Sequence, residues 1–126
     1  MDKRRYIRLI AQLEVKVNKP SGEIPEEFIP VVSKDISVAG IGLTSETKFI
    51  EGERLHMTIK LPSDAVVLVS GIVKWVTMRE NLYSPTGHDF AFGVEFMKLS
   101  DPDRREIEKF IEQTGYNPAE PPNTGL

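Results

Sequence analysis

Leu9, Ala11, Leu13, Val15 and Val17 alternate with mostly polar neighbours, the period-two signature of a half-buried strand. The pattern recurs down the chain. Residues 28–37 read as a second strand, with Pro30 marking an edge position or a late start. A short strand at 41–45 follows, punctuated by Gly40 and Gly42. Leu55, Met57, Ile59 and Leu61 repeat the alternation, 66–76 is rich in β-branched residues, and 90–96 supplies the last strand. Turn residues separate the segments: Pro20, Ser21, Gly22 and Pro25, then Glu51-Gly52, then Pro62-Ser63-Asp64. Residues 77–89 are polar and contain Pro85 and Gly87, which reads as a long, mobile hairpin loop. Strands joined by turns, with no helix between them, predict a mainly β domain, a small antiparallel barrel or sandwich.

One helix closes the pattern. Ser100 or Asp101 is placed to cap it, Pro102 suits its first turn and Gly115 its exit. Ile107, Phe110 and Ile111 share one face, which predicts packing against the sheet. Residues 116–126 hold three prolines and read as a disordered tail. The expected organisation is thus an N-terminal arm at 1–8, a domain at 9–115 and a tail at 116–126.

Composition narrows the chemistry. There is no cysteine among the 126 residues, which excludes disulfides, thiolate metal sites and cysteine nucleophiles. Two histidines, His56 and His88, make a histidine-rich metal site improbable. Sixteen basic against nineteen acidic side chains argue against a binder of nucleic acid polymers. The longest charge-free stretch is ten residues, 36–45. A membrane span needs about 20 apolar residues, so none is expected. The Met-Asp-Lys-Arg-Arg start lacks a signal peptide's apolar core, and the expectation is a cytoplasmic protein.

Two short patterns carry a chemical signal. In Lys3-Arg4-Arg5-Tyr6-Ile7-Arg8, Arg4 and Arg8 are four apart, an offset that places them on one side of an extended chain. It also makes them neighbours on a helical turn. Guanidinium groups grip phosphate bidentately and stack on bases. Taken alone, the stretch also reads as a solvated basic terminus. In Asp35-Ile36-Ser37-Val38-Ala39-Gly40, period two puts Asp35 and Ser37 on one face, and Gly40 permits a positive φ or the close approach of a ligand. Alone, it also reads as a strand end with turn-forming residues. Together the patterns match one kind of ligand. Guanine offers N7 and O6 to arginine, its N1–H and N2–H suit a carboxylate such as Asp35, and phosphates suit a second arginine.

The sequence resembles the PilZ family of bacterial cyclic-di-GMP receptors. The resemblance rests on RxxxR at Arg4 to Arg8 and DxSxxG at Asp35 to Gly40, in the family's order and 26 residues apart. It continues through Gly40-Ile41-Gly42-Leu43, Gly71-Ile72-Val73-Lys74-Trp75 and Gly93-Val94-Glu95-Phe96, followed by a helix. It implies a six-stranded antiparallel barrel with a C-terminal α-helix and the arginine motif folding across its mouth. By the same resemblance Arg4 and Arg8 engage phosphate and guanine, Asp35 and Ser37 hydrogen-bond the ligand, and Gly40 shapes the adjoining turn. Arg5, between the motif positions, is expected to add a phosphate contact. Lys3 stands where family members differ, leaving open whether one nucleotide binds or an intercalated pair.

The implied protein is a non-enzymatic receptor for cyclic-di-GMP without a cofactor. Its arm would become ordered on binding, and it would act through a separate effector protein. The alternative is a ligand-independent interaction module. Trp75 reads as barrel core or rim rather than a ligand platform, and Tyr83 as an exposed loop aromatic. No catalytic triad or phosphate-binding P-loop is recognisable.

Overall fold

In a computed structural model that describes residues 8–19 and 28–114, the alternating segments become β1 (Leu9–Ile10), β2 (Glu14–Asn18), β3 (Ile29–Pro30), β4 (Val32–Ile36), β5 (Gly40–Ser45), β6 (Arg54–Lys60), β7 (Val66–Glu80) and β8 (His88–Met97). One helix, α1 (Asp101–Gln113), follows. All eight strands lie in one antiparallel sheet, in the order β1-β4-β5-β8-β7-β6-β2-β3, which curls into a half-barrel. Residues 1–7 of the expected arm at 1–8, the loop at 20–27, the expected helix exit at Gly115 and the tail at 116–126 lie outside the described residues.

The mainly β class with a terminal helix holds, but the six-stranded closed barrel is corrected to eight strands and a half-barrel. Two expected strands are each cut in two. β1 pairs with β4 (Leu9↔Ile36, Ile10↔Asp35), whereas β2 pairs with β3 (Lys16↔Pro30, Val17↔Ile29) and with β6. Between them a buried serine replaces the ladder. Ser33 Oγ accepts from Leu13 N–H at 2.6 Å and donates to Ala11 C=O at 2.8 Å, so the backbone groups freed by the break still find partners. Pro30 sits in β3, the last strand in the order, where a missing N–H is tolerated.

The core lies inside the curl. Val17, Ile36, Leu43, Leu55, Ile59 and Val67 are buried, and Phe49 stacks on Phe92 with ring centroids 4.5 Å apart. Ser100 caps α1 by accepting from Asp103 N–H, and Pro102 lies in the first turn. Ile107 and Ile111 enter the core cluster with Phe110 packed against it, as the spacing predicts.

The expected loop at 77–89 is strand at both ends, 77–80 and 88–89, and a turn only at 81–87. β7 continues to Glu80, β8 begins at His88, and the pair stays in register from Trp75↔Gly93 to Glu80↔His88. The arm outruns its neighbours, since β5 reaches only Phe90 and β6 only Ile72. With no core beneath it, its tip carries no apolar alternation. Cross-strand polar contacts hold it instead. Arg79 donates from Nε and Nη2 to both oxygens of Asp89 at 3.0 Å, and Asn81 Nδ2 adds a third bond at 3.0 Å. The Arg79 and Asn81 bonds hold the Asp89 carboxyl below the ordinary carboxylate range, outweighing its burial.

Candidate functional site

One cross-strand row builds the site. Asp35 pairs with Gly42, Gly42 with Gly93, and Gly93 with Trp75. The two glycines leave a bare strip of backbone, and the flanking side chains lie over it. A Cβ on Gly42 would fall 2.7 Å from Asp35 Oδ1, and one on Gly93 would collide with the Trp75 indole.

Bulges aim both flanking residues. The β4–β5 register shifts between Ser33 and Asp35, and the β7–β8 register between Val73 and Trp75. Regular alternation would turn Asp35 to the side of buried Ser33, and Trp75 to the side of buried Val73. The extra residues, Lys34 and Lys74, flip them onto the outer face, a usual role of bulges beside functional sites.

Arg8 reaches this strip with its guanidinium. Its Nη2 donates to Asp35 Oδ1 at 2.7 Å and its Nη1 to Ser37 Oγ at 3.4 Å. Ser37 is buried, and its hydroxyl also accepts from Ala39 N–H at 3.1 Å. It therefore holds Arg8 and the 37–40 turn rather than facing the open pocket. Gly40 is required for a different reason from those expected. Its φ is not positive, and a Cβ there would strike the Val94 backbone carbonyl, so the close approach is that of β8.

Arg8, Asp35, Ala39, Gly40, Lys74, Trp75 and Glu95 line an open cavity of about 310 Å³ above the glycine strip. Lys74 Nζ lies 3.4 Å from Glu95 Oε1, both well exposed. The described lining thus balances two cations with two anions. Arg4 and Arg5 lie outside the described residues.

Sequence reasoning placed Arg8, Asp35 and Ser37 together, and the structure joins them. It gave Trp75 a structural place, whereas the indole lines the pocket. The Gly71-to-Trp75 motif marked the residue, but nothing in it announced a bulge. His56 is exposed and bonds Ser70 Oγ at 2.9 Å, while His88 meets Phe90 edge-on. No group of three metal-ligating side chains occurs among the described residues. No helix among them is long and apolar enough to cross a membrane.

Several solved structures share the fold. The PilZ domain of YcgR from Escherichia coli, solved with c-di-GMP, has a TM-score of 0.69 at 17% identity, over 89% of this chain and 91% of that one. The MrkH–c-di-GMP complex of K. pneumonia gives 0.71 at 18%, over 90% of this chain and 53% of that one. The Bacillus subtilis inhibitor of motility MotI/DgrA gives 0.69 at 22%, over 90% and 52%. This chain thus spans about half the length of MotI and MrkH. No curated protein matches it. The family model for the PilZ domain matches residues 2–113, the motif stretch, the sheet and the helix together, and on that match the chain belongs to the PilZ domain family.

Proposed function

We propose that this protein is a cyclic-di-GMP receptor that acts by binding rather than catalysis. The observation that carries the reading is the joining of Arg8 to Asp35 at 2.7 Å beside a glycine strip walled by Trp75. Each part suits a guanine nucleotide. Asp35 offers a carboxylate to the N1–H and N2–H donors, Arg8 offers its fork to N7 and O6, and the exposed indole offers a stacking surface. The bare strip admits a flat ring close to backbone. Support also comes from the family match and from the nucleotide complexes of YcgR and MrkH.

The described lining is charge-balanced, so net attraction for two phosphates falls to Lys3, Arg4 and Arg5. Four peptide units separate Arg4 from Arg8, a reach of no more than about 14 Å. In this reading the nucleotide draws the arm onto the pocket, and the altered surface signals to a separate protein. Ordering of this kind couples ligand binding to a new interface.

Titration calorimetry with cyclic-di-GMP, using GTP and cyclic GMP as controls, tests the reading. Selective, saturable binding is expected, and its stoichiometry shows whether one nucleotide or a pair is held. Absence of binding by folded protein overturns it in favour of a ligand-independent interaction module.

A further inference from the structure

Beside the glycine strip lies a second cleft, of about 320 Å³. Val38 and Ala39 of the turn, Glu95 and Phe96 of β8, and then Lys98 and Arg104 line it. It shares Ala39 and Glu95 with the pocket already described, so the two are continuous. Phe96 N–H donates to Ala39 C=O at 2.9 Å, which fastens the shared turn to β8.

The cleft holds positive charge that packing does not need. In α1, positions 104, 107 and 111 fall on one stripe, and Ile107 and Ile111 are buried in the core cluster. Arg104 continues that stripe by one turn and is half-buried, whereas Arg105, Glu108 and Glu112 are exposed. A cation withdrawn from water is ordinarily paired. Among the described residues Arg104 has no ion pair, and its side chain makes no hydrogen bond. Lys98, at a left-handed φ of 54° just past β8, has no ion pair among them either. Glu95 is the acid in the described lining, and Lys74 already contacts it at 3.4 Å. Together the two clefts set Arg8, Lys74, Lys98 and Arg104 against Asp35 and Glu95. The α1 terminus adds no attraction of its own, since Ser100 caps it and Asp101 and Asp103 stand in its first turn. The pull on an anion comes from the two side chains.

We propose that Lys98 and Arg104 form a phosphate subsite, which holds one phosphodiester of the cyclic dinucleotide whose base lies over the glycine strip. The inference rests on the receptor reading. A guanidinium takes two phosphate oxygens at once, and the lysine adds a point charge. Cyclic-di-GMP carries two phosphodiesters; this subsite takes one and leaves the other to Arg4 and Arg5.

Two titrations of the full chain in low-salt, phosphate-free buffer test it. In the first, inorganic pyrophosphate is added to isotope-labelled protein and the backbone amide shifts are followed. Saturable shifts are expected at 38–40 and 95–104, and they should vanish in the double variant Lys98→Gln, Arg104→Gln. In the second, calorimetry reads cyclic-di-GMP. The double variant is expected to weaken it at least about tenfold, as the loss of charge-assisted bonds to phosphate should. Arg105→Gln removes the same charge from the exposed side of the same turn and leaves affinity unchanged. Circular dichroism first shows each variant folded. Absence of saturable shifts at 95–104 overturns the subsite. Native cyclic-di-GMP affinity in the double variant, or an equal loss in Arg105→Gln, overturns it too and leaves the receptor reading standing. Wild-type protein that takes pyrophosphate in this cleft but no cyclic-di-GMP upholds the anion site and removes the receptor reading.

Discussion

Gly42 and Gly93 face each other across β5 and β8, and each lies beneath a side chain from the next strand out, Asp35 over one and Trp75 over the other. A methyl group on either would displace a wall of the pocket. Gly93→Ala is therefore expected to weaken cyclic-di-GMP binding by about tenfold or more, equivalent to about 1.4 kcal/mol. It should also shift the emission of Trp75, the single tryptophan. Calorimetry and fluorescence read the two effects. Unchanged emission with native affinity shows that the indole does not depend on the bare strip.

Arg8 bridges Asp35 and Ser37, so removing either charged partner leaves the other without its bond. Arg8→Ala and Asp35→Ala are each expected to weaken the nucleotide by at least about tenfold. Calorimetry on both variants, after circular dichroism shows them folded, decides it. Native affinity in both removes this pair from the site.

The exposed indole offers a base its π-face. Stacking on aromatic side chains contributes about 1–3 kcal/mol per base, so Trp75→Ala should lose roughly that much affinity and Trp75→Phe much less. Equal losses in the two variants point to shape or hydrogen bonding at the indole instead.

Ser33 carries the break between β1 and β2. Ser33→Ala leaves Leu13 N–H and Ala11 C=O without their buried partner, and such a loss costs about 1–3 kcal/mol. The expected outcome is a lower thermal midpoint, read by calorimetric melting. A midpoint equal to wild type means that water reaches the break.

The hairpin is expected to be sensitive to acid. Because Arg79 and Asn81 hold the Asp89 carboxyl below its ordinary value, its contribution to stability is complete above the ordinary carboxylate range. That contribution is lost as pH falls through the lowered folded value. Amide shifts of the 81–87 tip are expected to move in that acid window. The melting curve of Asp89→Asn should be less dependent on pH there than wild type. A parallel pH dependence in both places the acid sensitivity elsewhere.

Much of this molecule is local in origin and was legible. The alternation at 14–18, 54–60 and 66–73 marks strands because one face meets the core and the other meets water. Ser100, Pro102 and the Ile107–Ile111 spacing mark the helix for equally local reasons. The motif pairing pointed to Arg8, Asp35 and Ser37 through a chemical need that does not depend on knowing the fold. The strand from Thr77 to Glu80 was not legible, since it stands beyond the neighbouring strands and has no apolar face to display.

Sequence alone determined the β class, the terminal helix and the residue types that meet at the site. Tertiary structure decided which way two of them point. A bulge is one extra residue in a pairing, and pairing is a relation between distant strands, so neither Lys34 nor Lys74 announces one locally. Each turns its successor onto the outer face, and the facing glycines of β5 and β8 leave room for both. The single-strand pattern would have sent Trp75 inward with Val73. The register with β8 sets it beside Asp35, over bare backbone.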